Sequence, residues 1–255
     1  MRRDIDDALQ GWPYEPGPGE VVAREVKARD GRRIIQVRVE LGLLQLEVED
    51  RPDGNRPHGF ATYLDYLRHR AAGRGLATGA KAPPWSMSKE QCHEADREFV
   101  QFYHRRVACL ALQQYDRAIR DADHTLALMD FVRRHGGDLE YIASHERFRG
   151  LVLFHRTQAA ALSALGRHRP EEAIDAVRDG IERIAEHRRR WDDENDGEDV
   201  PNEILLDQLR QLEREIRSNF DVQKTLREQL DEAVAREDYE RAARLRDQIR
   251  ARGRR

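Results

Sequence analysis

The residues with the most chemistry to offer are ten histidines and two cysteines. Cys92-His93, followed by His104 and Cys109, supplies metal-ligand types within one stretch. On a helix, however, 93 and 104 stand about three turns apart and Cys109 falls on a further turn, so other helices would have to complete a site. His93-Glu94 and His145-Glu146 each begin like a zinc-protease helix but lack its second histidine. Gly73-x-Gly75-x-x-x-Gly79 has the glycines of a phosphate loop. No strand leads into it and no helix opens from it, so the context that aims backbone N–H groups at phosphate is missing. No G-x-S-x-G occurs, no Ser/His/Asp set stands out, and the many acidic pairs have no context that would shift their acidity. The expectation is a protein that is not an enzyme, with no metal and no cofactor.

Composition narrows what must position these groups. Charged residues make up 36% and apolar residues 39%, a balance that suits helices with long solvated faces and thin cores. The net charge of −3 gives no global field toward nucleic acid, so any basic surface must be local. No apolar run is long enough to span a membrane. The opening MRRDIDDALQG has basic residues without the apolar run of a secretory leader. Two cysteines suggest neither a disulfide framework nor a cysteine zinc site. A cytoplasmic protein is expected.

Residues 1–59 are expected to hold a short helix at Asp4–Gln10, an irregular stretch pinned by Trp12 and Tyr14, and a three-stranded antiparallel meander. Ile35, Val37, Val39 and Leu41 alternate with polar residues, as do Leu44, Leu46 and Val48; period two marks half-buried strands. Asp30-Gly31 predicts a two-residue turn between the first two strands, and Gly42 the next turn. Residues 60–190 give helix signals only, and a helical bundle of antiparallel hairpins is expected. Phe60, Tyr63, Leu64 and Leu67 share one face. A flexible loop is predicted over 71–85, and Ser88-x-x-Gln91 is a capping-box start for a helix to about Gln114. Within 99–190, Tyr115, Ala118, Leu126 and Leu128 resemble the second half of a tetratricopeptide repeat, and Leu165-Gly166 with Ala173 resembles another. The two alanines lie 55 positions apart, against about 34 for that repeat, so the likeness is to a style of packing.

The charge-dense stretch 191–201 reads as a solvated linker and a domain boundary. In 202–255, Leu205, Leu209, Leu212, Ile216, Asn219, Gln223, Leu226, Leu230 and Ala233 follow a heptad seam, predicting one helix over 202–236, about 50 Å long. Leu226, Leu230, Ala233 and Val234 share a face. Glu237-Asp238 then breaks the rhythm, which resumes at Tyr239, Ala242, Ala243, Leu245, Arg246 and Ile249. Two short helices joined by a tight polar turn make a hairpin, with Leu230, Tyr239 and Ile249 filling the space between and around them. The fold class is therefore mainly α, with a small N-terminal antiparallel β-meander, the bundle, and a C-terminal coiled helical hairpin.

With Glu240 and Asp247, the second helix reads Y-E-x-A-A-x-L-R-D-x-I, fixing polar positions that packing does not dictate. On these residues 224–252 resembles the UVR motif, which closes the UvrB and UvrC subunits of bacterial nucleotide excision repair and recurs in Clp-protease partners of the McsA and ClpC kind. The resemblance covers about an eighth of the chain. It implies a protein–protein docking module formed by Leu226, Leu230, Ala233, Val234, Tyr239, Glu240, Ala242, Ala243, Leu245, Arg246, Asp247 and Ile249. In the family such hairpins pack against another copy. By resemblance the partner is an excision-repair subunit, which would make the role DNA repair. The alternatives are an adaptor of a Clp-type unfoldase, although the cysteine zinc modules of McsA-like proteins are absent, and a structural homodimer. A further class is an enzyme built from the meander and the 51–88 loops. The arginines of the closing RARGRR suit a solvated helix end, and direct nucleic-acid binding is not expected.

Overall fold

The computed structural model describes residues 5–17, 19–77, 85–195 and 200–252. It is mainly helical with one small antiparallel sheet at the N-terminal end. Two compact units, Met1–Val152 and Leu153–Arg255, divide the chain.

In the first unit, a single helical turn, α1 (Asp6–Leu9), precedes strands β1 (Ala23–Lys27), β2 (Arg33–Val39) and β3 (Gly42–Glu47) in the order β1-β2-β3. Ile35 stands opposite Glu25 and Leu46, and Val37 opposite Ala23 and Leu44. Ile35, Val37 and Leu46 are buried, as their alternation predicts. The other face of β2 is covered as well, with Ile34 and Gln36 buried. Nearby, the N-terminal segment is held by cation–π contacts: the Arg24 guanidinium lies 4.0 Å from the Trp12 ring centroid and the Arg38 guanidinium 5.4 Å from that of Tyr14.

Both turns differ from expectation. The Ala28 N–H donates to Arg32 O (2.8 Å), which leaves the three residues Arg29–Gly31 as the loop. Gly31 alone takes positive φ, +87°, whereas a type I′ turn needs it at both central positions. Gly42 is not in the second turn. It pairs with Val39, and the loop is Glu40-Leu41.

The helices of this unit are α2 (Tyr63–Ala77), α3 (Lys89–Ala111), α4 (Tyr115–His135) and α5 (Leu139–Glu146). A further helix, α6 (Arg149–Gly166), contains the division between the two units. Tyr63, Leu64 and Leu67 of α2 are buried against Ala95, Leu128 and Val132, while Phe60 precedes the helix. The predicted loop at 71–85 is helical through Ala77, and residues 78–84 lie outside the described residues. Ser88 and Gln91 form the expected capping box, and α3 ends at Ala111.

Buried charged groups tie this core together. Glu98 is fully buried and accepts the backbone N–H groups of Tyr63 (2.6 Å) and Leu64 (3.0 Å), capping α2 from another helix. His124 Nε2 lies 2.9 Å from the same carboxylate, with its ring stacked on Phe102. Arg51, 2% exposed, reaches Glu94 and Gln101. Arg105 pairs with Asp121 at 2.7 Å and donates to the carbonyls of Glu47 and Asp50, fixing the end of β3 to the α3–α4 hairpin.

The second unit holds most of α6, then α7 (Pro170–Asn195), α8 (Val200–Phe220), α9 (Leu226–Ala235) and α10 (Tyr239–Arg252). Ala173 is buried, as is Ala118 in the first unit. A Cβ on Gly180 of α7 would sit 2.1 Å from Thr157 Oγ1 of α6, so these helices touch where glycine has no side chain. The stretch expected as a linker continues α7 to Asn195; residues 196–199 are outside the described residues. α8 packs on α7, burying Asn202, Leu206, Leu209 and Ile216.

The single helix predicted over 202–236 is two helices. α8 stops at Phe220, Asp221 turns to φ +51°, and α9 starts afresh at Leu226. Asn219 and Gln223 are exposed rather than in a seam.

The ion pair at the end of β3 yields the first test. Asp121→Ala leaves the Arg105 guanidinium buried without its carboxylate and is expected to cost about 3–5 kcal/mol, read from the midpoint of denaturant unfolding. An unchanged midpoint would show that the pair does not hold the sheet to the helices.

Candidate protein-docking site

The C-terminal hairpin begins at a capping box. Thr225 Oγ1 accepts the Glu228 N–H (3.2 Å), and a Glu228 carboxylate oxygen accepts the Thr225 N–H (2.7 Å). This T-x-x-E signal was readable in the sequence, and it marks the helix start that the heptad reading passed over. α9 ends in a left-handed turn. Glu237 takes φ +58°, its N–H reaches Val234 O (2.9 Å), and the Asp238 N–H reaches Ala233 O (2.8 Å). Asp238 then caps α10 by accepting the Arg241 N–H (3.1 Å).

Ala233, Ala242 and Leu245 are buried where the helices meet, with Leu226 and Leu230 packed on them. Small residues at the crossing let the two backbones approach. Tyr239 does not fill this space. As the first residue of α10 it projects outward, 68% exposed, and Val234 is 52% exposed. Ala243 and Ile249 are half-buried, and Glu240, Arg246 and Asp247 are exposed.

The hairpin has two unlike sides. On one, Leu230, Val234, Tyr239, Ala242 and Ala243, with Asp231 and Arg246, line an open groove of about 600 Å³. On the other, Leu226, Gln229, Arg236, Arg241 and Ile249 face a cleft of about 1290 Å³. Its far wall is the start of α7 together with Phe220 and Val222.

Polar contacts latch α9 onto α7 and α8. Thr225 Oγ1 donates to Asp175 (2.8 Å), the Leu226 N–H donates to Glu171 (3.2 Å), and Arg227 pairs with Asp179 (2.9 Å). Glu171, Asp175 and Asp179 are spaced one turn apart on α7, so an acidic stripe meets the positive end of the α9 dipole. Glu228 in turn receives Arg217 (2.7 Å) and Arg178 (3.2 Å). Burial pushes the Asp175 carboxyl up from its usual range, only partly offset by the Thr225 hydroxyl. Burial also raises Glu228, but the Thr225 N–H and Arg217 outweigh it and hold Glu228 below its usual value.

Elsewhere, Ser144, His145 and Asp96 form a chain that sequence reasoning missed. Ser144 Oγ lies 3.2 Å from His145 Nδ1, and His145 Nε2 lies 3.0 Å from Asp96. Ser144 Oγ donates to Tyr141 O (2.7 Å), and that carbonyl also stands 3.0 Å from Nδ1. The Ser144 hydroxyl proton is thus given to a backbone carbonyl rather than to the His145 ring, which is not the arrangement of an activated nucleophile. Cys92 is half-buried and Cys109 fully buried. Burial raises both thiols, Cys109 to about 12, away from the thiolate a nucleophile needs. Among the described residues no group of three or more His, Cys, Asp or Glu is placed to hold a metal ion, and no helix is long and apolar enough to cross a membrane.

A family model described as the UvrB/uvrC motif matches residues 221–251, the span from the α8–α9 connection through α10. No curated protein and no solved structure matches the chain.

The latch makes a pH-dependent prediction. Glu228, held below its usual value of 4.5, stabilises the fold above that pH, and the contribution is lost as pH falls through the lowered value. Glu228→Gln is therefore expected to cost about 1–2 kcal/mol at neutral pH, with the gap to the parent closing in acid. Asp175 has the opposite sign: its contribution is present in acid and lost as pH rises through its raised value. Asp175→Asn should leave neutral-pH stability unchanged or higher. Denaturant titrations of the three proteins across pH check both, and a Glu228→Gln gap that persists in acid would contradict the assignment.

Proposed function

We propose that this chain is a non-enzymatic adaptor or scaffold that docks a protein partner through the α9–α10 hairpin. The observation that carries the reading is the placement of large apolar side chains outside an alanine-lined crossing. Val234 and Tyr239 are 52% and 68% exposed on one open groove. Their burial by a partner would contribute the hydrophobic term of binding. The motif match covers the same residues.

By that resemblance the partner is an excision-repair subunit and the setting is DNA repair in the cytoplasm. An adaptor role toward a Clp-type unfoldase is the alternative. A second copy of the hairpin is a further candidate occupant, favoured by one feature. The groove carries one acid and one base, Asp231 and Arg246, so an inverted copy would bring each against its opposite.

Val234→Asp with Tyr239→Asp tests the reading, because both side chains lie outside the seam and the hairpin should keep its helical content. Leu230→Glu is unsuited, since Leu230 packs on the seam itself. The full chain and the double variant are compared by affinity capture from native lysate and by sedimentation. Loss of excision-repair subunits, with affinity for the purified subunit down at least about tenfold, supports the leading reading. Loss of an unfoldase supports the alternative, and loss of self-association alone makes the hairpin a dimerisation device. If the variant captures and associates like the parent, the groove is not a docking surface.

A further inference from the structure

We propose that the surface formed by residues 56–70 binds single-stranded nucleic acid, stacking bases on a chain of aromatic rings and holding phosphates on the arginines beside it. The site lies in the first unit and is independent of the hairpin.

Four rings run across this surface. His58 stacks on Tyr66 with centroids 3.9 Å apart and planes 21° apart. Phe60 touches Tyr66 (6.0 Å) and His69 (5.2 Å). Tyr66 packs on one side against the buried core of Tyr63, Leu64 and Leu67, and His58, Phe60 and His69 lie outside that core. His58 and His69 are exposed, and Phe60 and Tyr66 are half-buried. His58 reaches its stacked position from a left-handed backbone, φ +52°, between Pro57 and Gly59.

Arg70 stands one turn after Tyr66 on the same face of α2, whereas Arg68 does not share that face. Arg68 and Arg70 are exposed, and neither has a hydrogen bond or ion pair among the described residues. Arg56 is exposed and pairs with Asp50 at 2.7 Å. The one acid of α2, Asp65, accepts the Thr62 hydroxyl at 2.8 Å. Segment 56–70 holds three arginines and one aspartate, and with Arg56 offset by Asp50 its uncompensated cations among the described residues are Arg68 and Arg70. This is the local basic surface that a nearly balanced total charge conceals.

Exposed rings want a flat apolar partner, and unpaired guanidinium groups want phosphate or carboxylate. A single strand offers both in alternation, with its base faces free. A duplex hides those faces and offers only the backbone. An acidic peptide would satisfy the arginines and leave the rings without a partner.

The test is fluorescence anisotropy of the full chain with labelled oligothymidine and oligouridine of about 15 nucleotides, beside a duplex of equal length and heparin as competitor. Two variants are compared, His58→Ala/His69→Ala and Arg68→Ala/Arg70→Ala, each checked for unchanged helical content and melting. A third, Arg252→Ser/Arg254→Ser/Arg255→Ser, removes the arginines near the C-terminus. Binding to the single strands is expected, weakened about tenfold or more by the ring variant. The arginine variant should weaken it too and flatten its salt dependence. No binding at low salt overturns the proposal. So does equal affinity for the duplex, full competition by heparin with an unaffected ring variant, or loss of binding confined to the third variant.

Discussion

A helix that must return on itself within three residues needs one residue with left-handed backbone and small side chains where the two helices meet. Among the described residues, three helix pairs meet that constraint in the same way. Gln113, His168 and Glu237 take φ of +56°, +58° and +58°. In each turn the N–H of the following residue reaches back five positions, to Cys109, Ala164 and Ala233. Nine positions beyond these acceptors stand Ala118, Ala173 and Ala242, all buried. Both hydrogen bonds of the turn exist only if the left-handed residue is in place. None of the three is glycine, so each turn carries a conformational cost that the packing of its helices must offset. The candidate docking hairpin is therefore built like the two longer pairs before it. It differs in what lies outside the seam.

That difference follows from length and from what each pair packs against. The α3–α4 pair is covered by α2 and the sheet, and α7 is covered by α8. The α9–α10 pair is short and touches the rest of its unit mainly at one end, through the polar contacts of Thr225, Leu226, Arg227 and Glu228. A polar latch fixes direction, because hydrogen bonds and ion pairs have preferred geometry, and it buries little apolar area. Val234 and Tyr239 are consequently left in solvent, which is the physical basis for reading the hairpin as a docking element.

In the first unit, buried charge does the work that apolar contacts do elsewhere. A three-stranded sheet is too small to hold itself against two long helices by its branched residues alone. Arg105 adds donors to one carbonyl at the end of β3 and one just after it, and Asp121 keeps that guanidinium compensated. Glu98 supplies the missing acceptors at the start of α2 from the middle of α3. Each contact is strong because it is dry, and each would be costly with one partner removed.

The sequence by itself determined the elements whose cause is local. Alternation placed β2 and β3, the Asp30-Gly31 turn implied β1 before them, Ser88 and Gln91 marked the start of α3, the small positions Ala118 and Ala173 were legible, and the Y-E-x-A-A-x-L-R-D-x-I pattern marked the hairpin. Thr225-x-x-Glu228 was legible too, although the heptad spacing across 219–226 overrode it and predicted one helix where there are two. Only the tertiary structure decided that Tyr239 points away from the seam, that Glu98 caps a helix 35 residues upstream, that Arg51 meets Glu94 across 43 positions, and that the Phe60 ring meets those of Tyr66 and His69. Periodicity reports which face of an element is apolar, because that depends on neighbours within a turn or two. It carries no information about which distant group will arrive to satisfy a buried charge or leave a ring uncovered, because that depends on how the elements meet.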